Sequence, residues 1–232
     1  MEVFIGTSGW FYDWNLDKSL DWYLANSKLN AIELNASFYR FPFPNQIKSW
    51  VKKGQSLKWA IKVNKLITHK FKFKGCAKIW EDFKERFKPL DKLIDFYLFQ
   101  APPNFRDYEL ILEFIKKIKI GKRFAFEIRN KDWLNSERKF NELKKKVVIV
   151  SVDSPNFYSK IIRDNIIYLR MHGRTDWYKH NYSKEELKEI VDKIKKIKPK
   201  KVYIFFNNNH NMLENARLMK DLFSHISGSK VS

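Results

Sequence analysis

The stretch IIYLRMHGRTDWY, residues 166–178, decides the fold. Side chains alternate across a strand. In IIYLRMH, Leu169 and Met171 therefore form one apolar face, while Arg170 and His172 share the other. Gly173 lets the chain turn, and Arg174, Trp177 and Tyr178 follow on the loop. A strand of this kind packs its apolar face on helices. Its other face points into a barrel, and something there must account for a guanidinium.

The pattern recurs along the chain. Strands are expected at VFIGT (3–7), AIELN (31–35), KWAIKVN (58–64), DFYLFQ (95–100), FAFEIR (124–129), VVIVSVD (147–153), IIYLRMH (166–172) and VYIFFN (202–207). Lysine-rich segments of helical spacing lie between them, around 17–28, 45–53, 76–88, 106–119, 136–146, 156–163, 183–197 and 211–224. Ser183 with Glu186 forms a capping box, and Asn45 and Asn211 are candidate helix caps. Eight β-then-α units in 232 residues predict an α/β fold, a single (β/α)8 TIM-type barrel in which residues 1–232 form one domain. A doubly wound open sheet would use fewer strands, and no GxGxxG fingerprint is present.

The alternation puts a polar or charged residue at the carboxyl end of seven strands. It points Glu33 and Asn35 inward on the second strand, Lys62 and Asn64 on the third, and Gln100 on the fourth. Glu127 and Arg129 follow on the fifth, Ser151 and Asp153 on the sixth, Arg170 and His172 on the seventh, and Asn207 on the eighth. Earlier inward positions are apolar or small, as at Ala60, Leu98 and Phe205. Polarity thus gathers at the carboxyl ends of the strands, where barrel enzymes carry their active sites. The competing explanation is a self-neutralising network of Glu33, Glu127 and Asp153 with Lys62, Arg129 and Arg170. Buried ion pairs are weak stabilisers, and a barrel built for stability alone would place aliphatic residues there.

Lys plus Arg number 46 and Asp plus Glu 26, a net charge of +20. That excess points to an anionic substrate or nucleic acid, or else to a lysine-rich solvated surface. No apolar run reaches the length of a membrane span, and MEVFIGTSGW is not a signal peptide, so a cytoplasmic protein with no membrane partner is expected. The one cysteine, Cys76, excludes an internal disulfide and a cysteine-based zinc cage. The sequence sets no oligomeric state.

Several blocks together resemble the DUF72 family, also called YecE-like, which has a TIM-barrel fold. They are IGTSGWFYDW (5–14), AIELNASFYRFP (31–42), KVNKLITH (62–69), LFQAPPNF (98–105), AFEIRNKDW (125–133), SVDSP (151–155), YLRMHGRTDWY (168–178) and VYIFFNNNH (202–210). The resemblance covers nearly the whole chain and implies the barrel, but no particular reaction. One departure is the loop NNNHNM, where many relatives would have an acidic residue and a glycine.

The inward set suits an anionic substrate. Lys62, Arg129, Arg170 and Arg174 are the expected anion clamp, because arginine offers a planar fork and lysine a point charge. Glu127, Asp153 and Glu33 are candidate bases and His172 the candidate acid. Asn35, Asn64, Gln100 and Asn207 would orient the substrate. Trp10, with Phe11 and Tyr12, would form stacking walls, and Tyr39 joins the substrate-binding set. The cofactor is left open. A divalent metal would be held by Glu127, Asp153 and His172, with His69 as a further ligand, although no local ligand motif is present. Lys62 as a Schiff-base lysine and Cys76 as a reactive thiol are lesser alternatives. The loop KLITHKFKFKGCAK (65–78) interleaves basic and aromatic residues. It could follow a nucleic-acid backbone while Phe71 or Phe73 stacks on a base, or its phenylalanines could pack on the barrel. The leading expectation is an enzyme that hydrolyses a phosphoester or nucleic acid. The alternatives are a non-catalytic nucleic-acid-binding protein and a sugar-phosphate isomerase or lyase.

Overall fold

A computed structural model describes residues 1–155 and 161–225. Its strands are β1 (Glu2–Thr7), β2 (Ala31–Leu34), β3 (Lys58–Lys62), β4 (Ile94–Gln100), β5 (Phe124–Glu127), β6 (Val148–Asp153), β7 (Ile166–Met171) and β8 (Lys201–Phe206). They follow one another around a single closed barrel, the (β/α)8 architecture read from the sequence. The helices are α1 (Leu20–Asn26), α2 (Pro44–Lys53), α3 (Ala77–Phe87), α4 (Tyr108–Ile118), α5 (Lys131–Asn135), α6 (Glu137–Lys146), α7 (Lys184–Ile197) and α8 (Met212–His225). No helix among the described residues is long and apolar enough to cross a membrane.

Contacts group the chain into two compact units. Unit 1 comprises residues 1–33, 56–58 and 151–232, and unit 2 comprises residues 34–55 and 59–150.

In unit 1, β1 pairs with β8 over its whole length, Glu2 opposite Lys201 through Thr7 opposite Phe206. β7 lies on the other side of β8, with Arg170 opposite Phe205. Leu169 and Met171 pack with Ile5, Val202, Ile204 and Phe206 against Leu187, Ile190 and Ile194 of α7 and Met212, Ala216 and Met219 of α8. That is the helix-facing set that the alternation assigned. The opposite set carries aromatic layers, Phe4 stacked on Tyr203 and Tyr168 against Phe205, and ends in polar residues. The capping box forms as expected: Glu186 N–H donates to Ser183 Oγ at 3.1 Å, and Ser183 N–H donates to the Glu186 carboxylate at 2.9 Å.

In unit 2, β3, β4, β5 and most of β6 pair in parallel, with a register irregularity between Trp59 and Ala60. Its core is aromatic. Phe73, Phe99, Phe114, Phe124 and Phe126 form ring contacts, and Phe99 stacks on Phe124 at 3.9 Å between centroids. Such edge and offset contacts add to what the buried area contributes.

Some boundaries differ from expectation. The α2 cap is Phe43 and not Asn45, because Pro44, with φ preset and no N–H to lose, takes the first helical position. Asn211 closes a 3-10 turn, Asn209–Asn211, immediately before α8. The helix expected at 156–163 falls mostly outside the described residues, and 161–163 are not helical. The short α5 was not anticipated, since five residues show too little periodicity.

Candidate functional site

The polar residues lie in two clusters, one in each unit. In unit 1, β2 brings Glu33 and β7 brings Arg170 into a forked ion pair. Arg170 Nε lies 3.0 Å from Oε2 and Nη2 lies 2.8 Å from Oε1. Tyr168 Oη donates to Oε2 at 2.7 Å and Ser8 Oγ to Oε1 at 2.7 Å. Glu33 and Arg170 are both completely buried. A carboxylate that accepts this many donors is held in place, so Glu33 is a fixed counter-charge to Arg170. Ser8 and Tyr168 were not singled out in the sequence; alternation places Tyr168 on the inward face, and Ser8 follows directly after β1.

Beyond this pair lies Asp153, whose Oδ2 accepts from Arg174 Nε at 3.1 Å. Arg174 also reaches Glu189 at 3.0 Å and Glu186 at 3.7 Å. Burial raises the Asp153 carboxyl above its usual value, and the Arg174 guanidinium pulls it only part of the way back. Burial alone would lower the Arg174 pKa, but Asp153 and Glu189 outweigh it and raise it. Asp153 Oδ1 is buried and accepts no hydrogen bond among the described residues.

His172 is also buried. Its backbone N–H donates to Asp153 O at 2.8 Å. Asn207 Nδ2 and His172 Nδ1 are hydrogen-bonded at 3.2 Å. Trp177 and Tyr178 contact the imidazole at 5.3 and 5.5 Å between centroids. Asn207 therefore orients His172. The turn that follows depends on Gly173, at φ +107°, whose N–H donates to Tyr182 Oη at 2.8 Å. Trp10 lies in the loop after β1, where its carbonyl accepts from Asn15 Nδ2 at 2.8 Å.

In unit 2, Arg129 Nε donates to the buried Glu127 carboxylate at 2.6 Å, while the guanidinium side chain remains 15% exposed. Lys62 Nζ sits 4.3 Å from the centroid of the Phe38 ring, a cation–π distance. The other side of this group is His69, whose ring meets Phe38 edge-on at 5.0 Å and whose Nδ1 bonds Thr68 Oγ1 at 2.8 Å. The His69 pKa is lowered, first by burial and then by Lys62 and Arg129, with Glu127 opposing. His69 enters the cluster from a π-helical turn, Leu66–Lys70, a form that recurs at functional sites. The sequence had suggested His69 only as a metal ligand.

Asn64, expected to orient substrate, is committed to the backbone. Its Nδ2 donates to Ser37 O at 2.9 Å and its Oδ1 accepts from Leu66 N–H at 3.0 Å. Asn35 begins the 3-10 turn Ala36–Phe38, and Gln100 ends β4 in register with Glu127. Tyr39 is 68% exposed. Phe73, a candidate stacking residue, lies in the aromatic core, whereas Phe71 stays exposed. Cys76 is buried, with Sγ 3.2 Å from Lys74 O and its thiol pKa pushed up by burial, so it is no reactive thiolate. Among the described residues no group of three or more His, Cys, Asp or Glu is placed to hold a metal ion.

Comparisons with known proteins place this geometry in context. The family described as "Protein of unknown function DUF72" matches residues 4–230. A DUF72 family protein from Thermotoga maritima is 24% identical, with 97% of this chain and 100% of that chain covered and a TM-score of 0.81. One from Enterococcus faecalis is 20% identical over 96% of this chain and 95% of that chain, with a TM-score of 0.79. A 3-keto-D-glucoside 4-epimerase from E. coli shares the fold at 9% identity, with 97% and 99% of the two chains covered and a TM-score of 0.59. None of the curated proteins matches.

Proposed function

We propose that this chain, which belongs to the DUF72 family, is an enzyme acting on a phosphate-bearing substrate whose phosphate is held by Lys62 and Arg129. The observation that carries this reading is the charge around His69. Lys62 and His69 both lie against the Phe38 ring, at 4.3 and 5.0 Å from its centroid, and burial followed by Lys62 and Arg129 lowers the His69 pKa. That cationic surplus suits a phosphate, with the partly exposed Arg129 as a fork and Lys62 as a point charge.

Phosphoester hydrolysis is the reaction taken first. Charge on the phosphoryl oxygens opposes attack, and fixed cations offset it. Water attacks phosphorus as its proton passes to His69, the bond to the leaving alcohol oxygen breaks, and His69 returns that proton to the departing oxygen. Thr68 engages Nδ1, which leaves Nε2 for that transfer. In unit 1, Asp153 and His172 are proposed as acid–base groups, and Glu33 as the residue that positions Arg170. A second reading, isomerisation or elimination on a sugar phosphate, is favoured by Glu127, a buried carboxylate 2.6 Å from Arg129 Nε. It would take a proton next to a carbonyl.

The test is turnover on a panel of p-nitrophenyl phosphate, sugar phosphates and short oligonucleotides, read by released inorganic phosphate and by NMR of the organic product. Free phosphate, lost in His69→Gln, supports hydrolysis. Conversion with the phosphate retained, lost in Glu127→Gln, supports the second reading. No conversion of any phosphorylated compound rejects both.

A further inference from the structure

We infer that the phosphate at Lys62 and Arg129 belongs to a single-stranded nucleic acid, whose bases stack on an exposed aromatic strip of the same unit. This rests on the proposed phosphate site and names its ligand class.

Three observations lead there. The first is the distribution of charge. Residues 34–78 contain eleven Lys or Arg and no Asp or Glu, which is more than half of the +20 of the whole chain. A lysine-rich solvated surface would intersperse its carboxylates, as the rest of this chain does.

The second is what stands beside those cations. Tyr39, Phe43 and Phe71 are 68%, 60% and 43% exposed, large apolar rings left in water. Each has a cation over its face: Lys65 Nζ 5.7 Å from Tyr39, the Arg40 guanidinium 5.7 Å from Phe43, and Lys70 Nζ 5.5 Å from Phe71. Rings of this kind, interleaved with cations that follow a phosphate backbone, are how proteins hold single strands. Phe38 joins the strip to the phosphate site. Its ring contacts Tyr39 at 5.1 Å, Lys62 at 4.3 Å and His69 at 5.0 Å.

The third is that the strip is built. Asn64 bonds Ser37 O and Leu66 N–H, and Ser37 Oγ bonds Lys62 O at 2.6 Å, which ties the segment before Tyr39 to the segment before Lys70. Lys72 and Phe73 adopt left-handed backbone, φ +46° and +69°, a conformation costly for non-glycine residues. The result drives Phe73 into the aromatic core and leaves Phe71 and Lys74 outside.

The test is fluorescence anisotropy of the full chain with three labelled 12-mers: oligothymidylate, oligouridylate and an abasic deoxyribose-phosphate strand of equal charge. Both base-bearing strands are expected to bind at least about tenfold tighter than the abasic one, in keeping with the energy of base–aromatic stacking. Tyr39→Ala with Phe71→Ala should remove that difference without changing the thermal unfolding midpoint, since both rings are exposed. Lys70→Gln, Lys72→Gln and Lys74→Gln together should reduce the slope of log affinity against log salt by about two. Equal binding of base-bearing and abasic strands overturns the inference, as does a difference that survives loss of the two rings. A preference for thymidylate over uridylate, or the reverse, assigns DNA or RNA. Inorganic phosphate, titrated separately, reports on Lys62 and Arg129. If it fails to bind while the base-dependent difference persists, the phosphate site is wrong and the stacking strip stands.

Discussion

Arg170 and Glu33 form a forked pair with no exposed surface, although 137 residues separate them in the chain. Neither partner can be removed singly at low cost, because the other would be left buried without its counter-charge. Arg170→Met and Glu33→Leu are each expected to lower stability by about 3–5 kcal/mol. The double variant should lose less than the sum of the two. Urea unfolding of the four proteins measures the coupling. Strictly additive losses would mean that the pair is not the unit described.

Gly173 should tolerate no side chain. Its φ of +107° is foreign to other residues, and a Cβ would come within 2.6 Å of Asp176 O and 2.7 Å of His180 Cβ. Gly173→Ala is expected to cost at least about 1–3 kcal/mol from backbone strain alone. It should also perturb the loop that carries Arg174, Trp177 and Tyr178. Tryptophan emission together with the unfolding midpoint reads both effects, and a wild-type midpoint would contradict the geometry.

The strand phases were legible because alternation is local. Leu169 and Met171 had to share a face, whatever the rest of the chain did. The partner of Arg170 was not legible, since nothing in AIELN says which distant strand Glu33 meets. His69 was read without its neighbours because the π-helical turn has neither the strand period nor the α-helical one. Asn64 looked like a substrate ligand but serves the backbone, a use that polarity alone does not reveal. Phe73 seemed available for stacking until its left-handed backbone turned it inward.

His69 makes stability depend on pH in a defined sense. Its folded pKa lies below the ordinary 6.5, so the folded state disfavours the charged ring. Its contribution is whole above that value. It declines as the pH falls from 6.5 toward the folded pKa, where the unfolded chain binds the proton and the folded chain does not. Relative to wild type, His69→Gln should therefore show a shallower loss of stability below pH 6.5. Urea midpoints between pH 5 and 8 provide the comparison, and parallel curves would show that His69 is not desolvated.

The cation pair is the centre of the proposal, and isothermal titration with inorganic phosphate at low salt tests it most directly. The wild-type chain should bind phosphate. Arg129→Gln and Lys62→Gln should each weaken it by roughly tenfold or more, as loss of a charge-assisted hydrogen bond implies. Lys184→Gln, at the start of α7, should bind as the wild type does. Phosphate affinity indifferent to both Lys62 and Arg129 would contradict the proposal.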